Sequence, residues 1–419
     1  MLPVAKKILF IAHRIPYPPN KGDKIRSFHE LEFLSKHYEV HLVCFIDNPN
    51  DRVHVGKLRK YAQEVHAFRL YKLIALARGF FYLLTGRSLS EGYYASPLAK
   101  RKVRKLSERH KYSFVFCFSS QIGRFAFDIP FVKIMDFCDV DSDKFSQYAK
   151  HHAFPLSRLY RLESRRLSAY ESQINRAFDA SILINRQELR LFNRRRHHDN
   201  IYIMPNGIDT EYFKPIDAVK ERALVFTGDM GYYANINAMV WFCEEVWPLV
   251  LEQDAGIRLY IVGRNPAREV RSYGERYEGG IVVTGEVEDI RPYVAKARLA
   301  VIPIRIARGI QNKILEAMAM GVPVMMHRTL FQSLGDLNEK DSLIFDDAHE
   351  CADMILSTID NETIQRGIGE RQRNYVLSHH HWDSHFRESV VWQNLMNDSF
   401  QKDKTISKKR ITSDKLRTH

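Results

Sequence analysis

Short apolar runs alternate with helix-forming stretches along this chain of 419 residues. Ile8 to Ala12 is an unbroken apolar run, Ile25 to His37 spaces its apolar residues as a helix does, and Val40 to Phe45 is apolar again. Runs this short, bounded by Pro, Gly and charge, read as strands buried on both faces, and their order is a βαβ unit. Further strands are expected at Phe114 to Phe118, Val132 to Met135 and 180 to 184, the last closing a first domain, with a long helix across 155 to 178. Beyond residue 206 the alternation resumes. Strands Ala223 to Thr227, Arg258 to Val262, Ile281 to Thr284 and a run ending near Ile304 are separated by helices, one reaching Trp247 and one over Ile290 to Lys296. This repetition predicts an α/β protein of two Rossmann-like, doubly wound domains, and the length is enough for each to bury its own core.

Chemistry concentrates between residues 301 and 324. The run ending near Ile304 leads into a polar turn with Arg305, Arg308 and Gly309, and Ile310 to Met320 then forms a helix that Gly321 stops. In a parallel sheet such a turn lies at the carboxyl edge, where the first amides of the helix attract anions. Lys313 and Glu316 both fall where they can face the mouth of the loop. The cations suit a diphosphate and the carboxylate suits vicinal hydroxyls; an ordinary amphipathic helix with solvated charges is the competing reading.

The string Gly309-Ile-Gln-Asn-Lys313-Ile-Leu-Glu316-Ala-Met-Ala-Met-Gly321-Val-Pro-Val324 resembles the nucleotide-sugar site of retaining glycosyltransferases of family four, which have the GT-B fold. Met204 to Phe213, with Asn206-Gly207 and Asp209, resembles that family's inter-domain linker. The resemblance implies two Rossmann-like domains facing across a cleft: 1–205 on the acceptor side, 206–380 for the nucleotide sugar, and a helix at 381–400 returning to the first domain. It implies a hexosyltransferase that needs no metal or separate cofactor and takes a nucleoside diphosphate sugar as donor and a saccharide or lipid-linked acceptor. Within the family the look is closest to sugar transferases of bacterial exopolysaccharide and exosortase systems. Lys313, Arg305 and the Gly309 amide would hold the leaving diphosphate, Glu316 the ribose, and Gly22, Gly228, Arg264, Arg308 and Ile310 would line the donor site. Three departures stand out. Relatives carry a glutamate where Arg308 stands, often a histidine near the place of Asp136 to Asp143, and a cation pair in the loop where this chain has Gly228, Asn235 and Asn237. A non-catalytic protein of the same fold and a nucleotide-sugar epimerase are the alternatives.

Charge refines this picture. Residues 1–205 hold 36 Lys and Arg against 19 Asp and Glu, a net +17, whereas 206–419 hold 27 against 31, a net −4. A basic first half suits an anionic surface such as phospholipid; without a recognition motif, nucleic acid is not expected as a partner. Residues 73 to 84 are apolar between Lys72 and Arg87, too short to span a bilayer but suited to an interfacial helix, with a buried helix as the competing reading. Asp136, Asp139, Asp141 and Asp143 follow an expected strand; either they hold a metal as an Asp-x-Asp pair, or Asp136 and Asp139 bind a sugar while the others cap a helix. Five dispersed cysteines argue for reduced thiols and against disulfides or a zinc site. With no signal-peptide pattern, the expected location is the cytoplasm, peripheral to the inner face of the membrane. The Lys- and Ser-rich stretch 401–419 is expected to be disordered.

Overall fold

The structure is a computed structural model that describes residues 6–19, 21–194, 198–305, 310–334 and 337–396. The chain divides into two compact units, one of residues up to Pro205 together with the segment from Phe386, the other Asn206–His385. The first contains seven parallel strands: β1 Lys7–Ala12, β2 Glu39–Ile46, β3 Glu64–Arg69, β4 Phe114–Phe118, β5 Val132–Cys138, β6 Ala180–Leu183 and β7 Ile201–Ile203. Their spatial order, β3-β2-β1-β4-β5-β6-β7, reverses direction between β1 and β4. The second unit repeats the plan with β8 Glu221–Thr227, β9 Arg258–Val262, β10 Ile281–Gly285, β11 Ala297–Ile302, β12 Val324–His327 and β13 Leu343–Phe345. Their order is β10-β9-β8-β11-β12-β13, with the reversal between β8 and β11. Both sheets are thus doubly wound, and each has its own switch point, where ligands bind in such folds.

The expected strands form close to their expected ends because buried parallel strands must be apolar throughout: β1, β2, β4 and β6 are almost entirely buried. Three strands escape the pattern. β3 is only half-buried and reads Glu-Val-His-Ala-Phe-Arg, while β7 and β13 span three residues each. The strand at 180–184 is therefore not the last of the first domain, since β7 adds an edge strand beyond it.

Long-range packing also decides how the first unit is completed. Trp392 lies buried with its indole Nε1 3.0 Å from the Met204 sulfur, and its ring sits 5.4 Å from Phe116. Phe386 stacks on Phe33 at 4.4 Å, so C-terminal residues are part of this unit's core. Trp382, by contrast, packs within the second unit. A Cβ on Gly207 would come within 2.7 Å of the Trp382 ring, and Ile208 bridges to His381. Although Asn-Gly pairs favour left-handed turns, Gly207 does not have a positive φ, and close approach to Trp382 is what requires glycine there. Asp209 makes a local turn, accepting from the Glu211 and Tyr212 amides.

Candidate active site

In the second unit, three adjacent strands end on glycines with positive φ: Gly228 after β8, Gly263 after β9 and Gly285 closing β10. Gly228 and Gly263 cross so closely that a Cβ on Gly263 would lie 1.7 Å from the Gly228 carbonyl oxygen. The Gly228 amide donates to Val262 O at 3.0 Å. Only glycine fits this crossing, and it leaves bare backbone at the carboxyl edge beside the switch point.

Lys313 reaches into the same place. It lies in the first turn of the helix Asn312–Ala319, whose N-terminus follows Gln311 and has no side-chain cap. Its ammonium donates to Asn235 Oδ1 at 2.6 Å, sits 4.1 Å from the centre of the Phe226 ring, and approaches the Cβ position of Gly228 to 2.9 Å. The Gly228 loop, which carries no cation of its own in sequence, thus receives one from across the switch point. Burial lowers the Lys313 pKa to about 7 and raises that of Glu316, one turn further along, to about 7, while the attraction between the two charges opposes both shifts. A buried ammonium beside a helix N-terminus that has no side-chain cap is a receptor for a polyanion such as a diphosphate.

The other expected donor residues take varied places. Arg264 donates to Asp229 at 2.9 Å on the Gly228 loop, so its charge is largely matched by that carboxylate. Arg305 lies at the exposed end of β11 with its guanidinium 4.8 Å over Trp241. Ile310 is partly buried against the second unit's core. Arg308 and Gly309 lie outside the described residues. Lys313, Glu316, Gly228 and Asn235 are therefore the group that the structure gathers.

The first unit corrects several expectations. Asp136 is fully buried: Arg26 donates to its Oδ2 at 2.7 Å and the Cys138 amide to its Oδ1 at 2.7 Å. Glu30 shares this pocket, and burial with the Asp136 charge pushes its pKa well up. Asp136 therefore ties β5 to Arg26, whose other arm donates to Met204 O at 2.9 Å, and offers nothing to a sugar. Asp139 is half-buried and pairs with Lys144 at 2.9 Å; Asp141 and Asp143 fall in the first turn of the helix Asp141–His151. Lys24, in the first turn of the helix Gly22–Ser35, is buried against Asp51 at 2.6 Å. Gly22 opens the helix Gly22–Ser35, and a Cβ there would meet no neighbour within 4 Å, so packing does not demand glycine.

A group that the sequence reading passed over stands at this unit's switch point instead. His13 and Arg14 follow β1 directly, and both contact Asp23 Oδ2, at 3.2 and 2.6 Å, in the first turn of the next helix. His13 stacks on Phe118 at the end of β4, and its buried Nδ1 makes no hydrogen bond among the described residues. Burial opposes ionisation of Asp23, but the His13 and Arg14 contacts outweigh it and hold the carboxylate well below the usual range. The signal was present in sequence: a histidine and an arginine directly after the first apolar run.

Residues 221–361 match the family model described as "Glycosyl transferases group 1". Among solved structures, TarM superposes with a TM-score of 0.66 at 12% identity over 94% of this chain and 99% of that one. Sucrose-phosphate synthase from Thermosynechococcus elongatus gives 0.65 at 15% over 96% and 99%. Anabaena HepE, solved in complex with UDP and glucose, gives 0.65 at 13% over 96% and 100%. No curated protein matches in sequence. The two sheets and these likenesses give the GT-B fold, and the family match supports a glycosyltransferase.

Proposed function

We propose that this protein transfers a sugar, with retention and without a catalytic metal, from a nucleoside diphosphate sugar to a saccharide or lipid-linked acceptor in bacterial envelope or exopolysaccharide synthesis. The observation that carries the reading is the Lys313 ammonium, buried against the Gly228 turn at an uncapped helix N-terminus. Its position suits the departing diphosphate, whose charge grows as the bond to the sugar breaks. Ammonium and helix amides in place beforehand lower that barrier without reorganising. Glu316 suits the ribose hydroxyls, and Arg264, Arg305, Arg308 and the Gly309 amide remain candidates for the outer phosphate or sugar. His13 and Arg14 are the acceptor-side candidates of the first unit, where a buried imidazole nitrogen has yet to find a hydrogen-bond partner. UDP, bound by Anabaena HepE, is the first donor base to try.

The acceptor's source is argued from the helix Lys72–Leu84. Its inward face is small or polar: Ala75 and Gly79 are buried, and Arg78 donates to the Gly92 and Tyr93 carbonyls. Its outward face is apolar, with Leu73 83%, Phe81 61% and Leu84 86% exposed. That is the reverse of a soluble packing helix, and it displaces the buried-helix reading. Arg69 over Tyr71 and Arg87 over Tyr82 stand at its two ends, and a cavity of about 310 Å³ lined by Tyr82, Arg87, Lys100 and Arg124 adjoins it. Apolar residues ringed by cations complement an anionic lipid surface, so we assign the helix to the membrane that supplies the acceptor. Among the described residues, no helix is long and apolar enough to cross a membrane.

The test is calorimetric titration with UDP, GDP, ADP and dTDP sugars, followed by nuclear magnetic resonance of the anomeric proton during turnover. One nucleotide should bind, and Lys313→Ala should weaken it and slow transfer by about two orders of magnitude or more. Full turnover by Lys313→Ala sinks the site assignment. Donor interconversion without acceptor makes the protein an epimerase, and binding without turnover on any lipid-linked or saccharide acceptor makes it a non-catalytic relative.

A further inference from the structure

At the opposite edge of the first sheet, the amino ends of β2 and β3 carry a cluster that the transfer chemistry does not use. His41 of β2 pairs in register with Glu64 of β3, and His110 ends the helix Pro97–Arg109 just before β4. One nitrogen or oxygen from each of His41, Glu64 and His110 lies within 4.8 Å of the others. His41 is buried and the other two half-buried.

Hydrogen bonds hold the outer atoms of His41 and Glu64. His41 Nδ1 is 2.7 Å from the Tyr112 hydroxyl, which leaves its Nε2 facing the cluster. Glu64 Oε2 is engaged by His66 Nε2 at 2.9 Å, which leaves Oε1 facing His110. His110 Nε2 is buried, makes no hydrogen bond among the described residues and stands 3.6 Å from that oxygen. Glu39 Oε1 lies 3.3 Å from His41 Nε2 and 2.7 Å from the Lys7 ammonium, so it can take a fourth position only by giving up that lysine. A buried imidazole nitrogen without a partner costs free energy that a cation would recover. Outer contacts to Tyr112 and His66 are those that orient metal-binding imidazoles and carboxylates.

We propose that His41, Glu64 and His110, completed by Glu39, bind one divalent transition metal ion, with zinc as the best match to two imidazoles and carboxylate oxygens in a closed site. The ion would join β2, β3 and the segment entering β4, a structural clasp on the side of the sheet away from His13 and Arg14. It does not depend on the proposed transfer reaction, and it leaves that reaction free of metal.

The test uses the tag-free full chain, stripped with chelator and titrated with zinc(II) against a chromophoric competitor, with bound metal counted by mass spectrometry. One equivalent should bind and raise the melting temperature. Cobalt(II) in its place should give the visible bands of a four-coordinate N/O site. His110→Ala and Glu64→Gln should each weaken binding by about 100-fold or more, and His66→Ala by about 10-fold. The metal-free melting transition of the first unit, followed by scanning calorimetry, should stay close to wild type in all three, showing that this unit folds. Failure to bind zinc overturns the proposal. So does binding that survives both His110→Ala and Glu64→Gln, which would place the ion elsewhere, for instance at His379, His380 and His381.

Discussion

Lys313 shows how one side chain acquires a function from its burial. An ammonium whose pKa has been lowered to about 7 is mostly neutral in the free protein above that pH. A bound diphosphate favours the charged form, so at pH 8 the complex must take up a proton that the free protein lacks. Donor affinity should therefore be greatest near neutrality and weaken as pH rises from about 7.5 to 9, by up to about tenfold per unit. UDP is fully ionised across that window, so its own titration does not mask the trend. Calorimetry at pH 8 in buffers of different ionisation heat should show proton uptake in the wild type and almost none in Lys313→Met. A flat pH profile with no uptake would mean that Lys313 does not meet the phosphates. Asp136 makes the complementary point: its carboxylate is committed to Arg26 and a backbone amide, so its conspicuous place after a strand serves the core.

Among the elements, the helix Lys72–Leu84 has the least ordinary design. Two glycines seat it: a Cβ on Gly79 would come within 2.9 Å of Leu89 O, and one on Gly92 within 2.6 Å of Tyr82. Close backbone contact thus takes the place that large side chains normally fill, and the large side chains face outward. Because Leu73 and Phe81 are exposed, replacing both with Glu should leave the melting temperature nearly unchanged. It should weaken cosedimentation with vesicles of phosphatidylcholine and phosphatidylglycerol by about tenfold or more, from lost apolar burial and from repulsion by the anionic headgroups. Binding to phosphatidylcholine alone should be weak, and added salt should reduce binding to the mixed vesicles. Equal vesicle binding by wild type and variant would remove this helix from the membrane reading.

Viewed as a whole molecule, the chain is two doubly wound units, of which the first is discontinuous in sequence. Trp392 is buried nearly 190 residues beyond the strand end at Met204 that it touches. Trp392→Ala opens a cavity in the first unit alone, at an expected cost of about 3 to 5 kcal/mol. Scanning calorimetry should then show the transition of the first unit lowered by about 10 °C or more and that of the second, reported by UDP-dependent stabilisation, unmoved. A uniform shift of both would indicate one cooperative unit. The same division separates the chemistry: the glycine shelf and Lys313 belong to the second unit, and the His13 group, the apolar helix and the histidine cluster belong to the first.

What the sequence determined is what short-range pattern can encode. Buried parallel strands must be apolar at every position, so β1, β2, β4, β8, β9 and β11 could be read within a residue or two of most of their ends, and the βα alternation carried the fold class. The helix at Asn312–Ala319 and its lysine were legible for the same reason, since they adjoin one such strand. Tertiary structure decided whatever depends on distant partners. It committed Asp136 and Lys24 to buried ion pairs and brought Lys313 to a loop 85 residues earlier in the chain. It required Gly207 to be small because Trp382 lies against it, turned the apolar face of Lys72–Leu84 outward, and gathered His41, Glu64 and His110 from three segments. The physical reason is the same in each case. Periodicity reports which face of an element avoids water, whereas the fate of a charge, a glycine or an imidazole is set by which other segment the fold places against it.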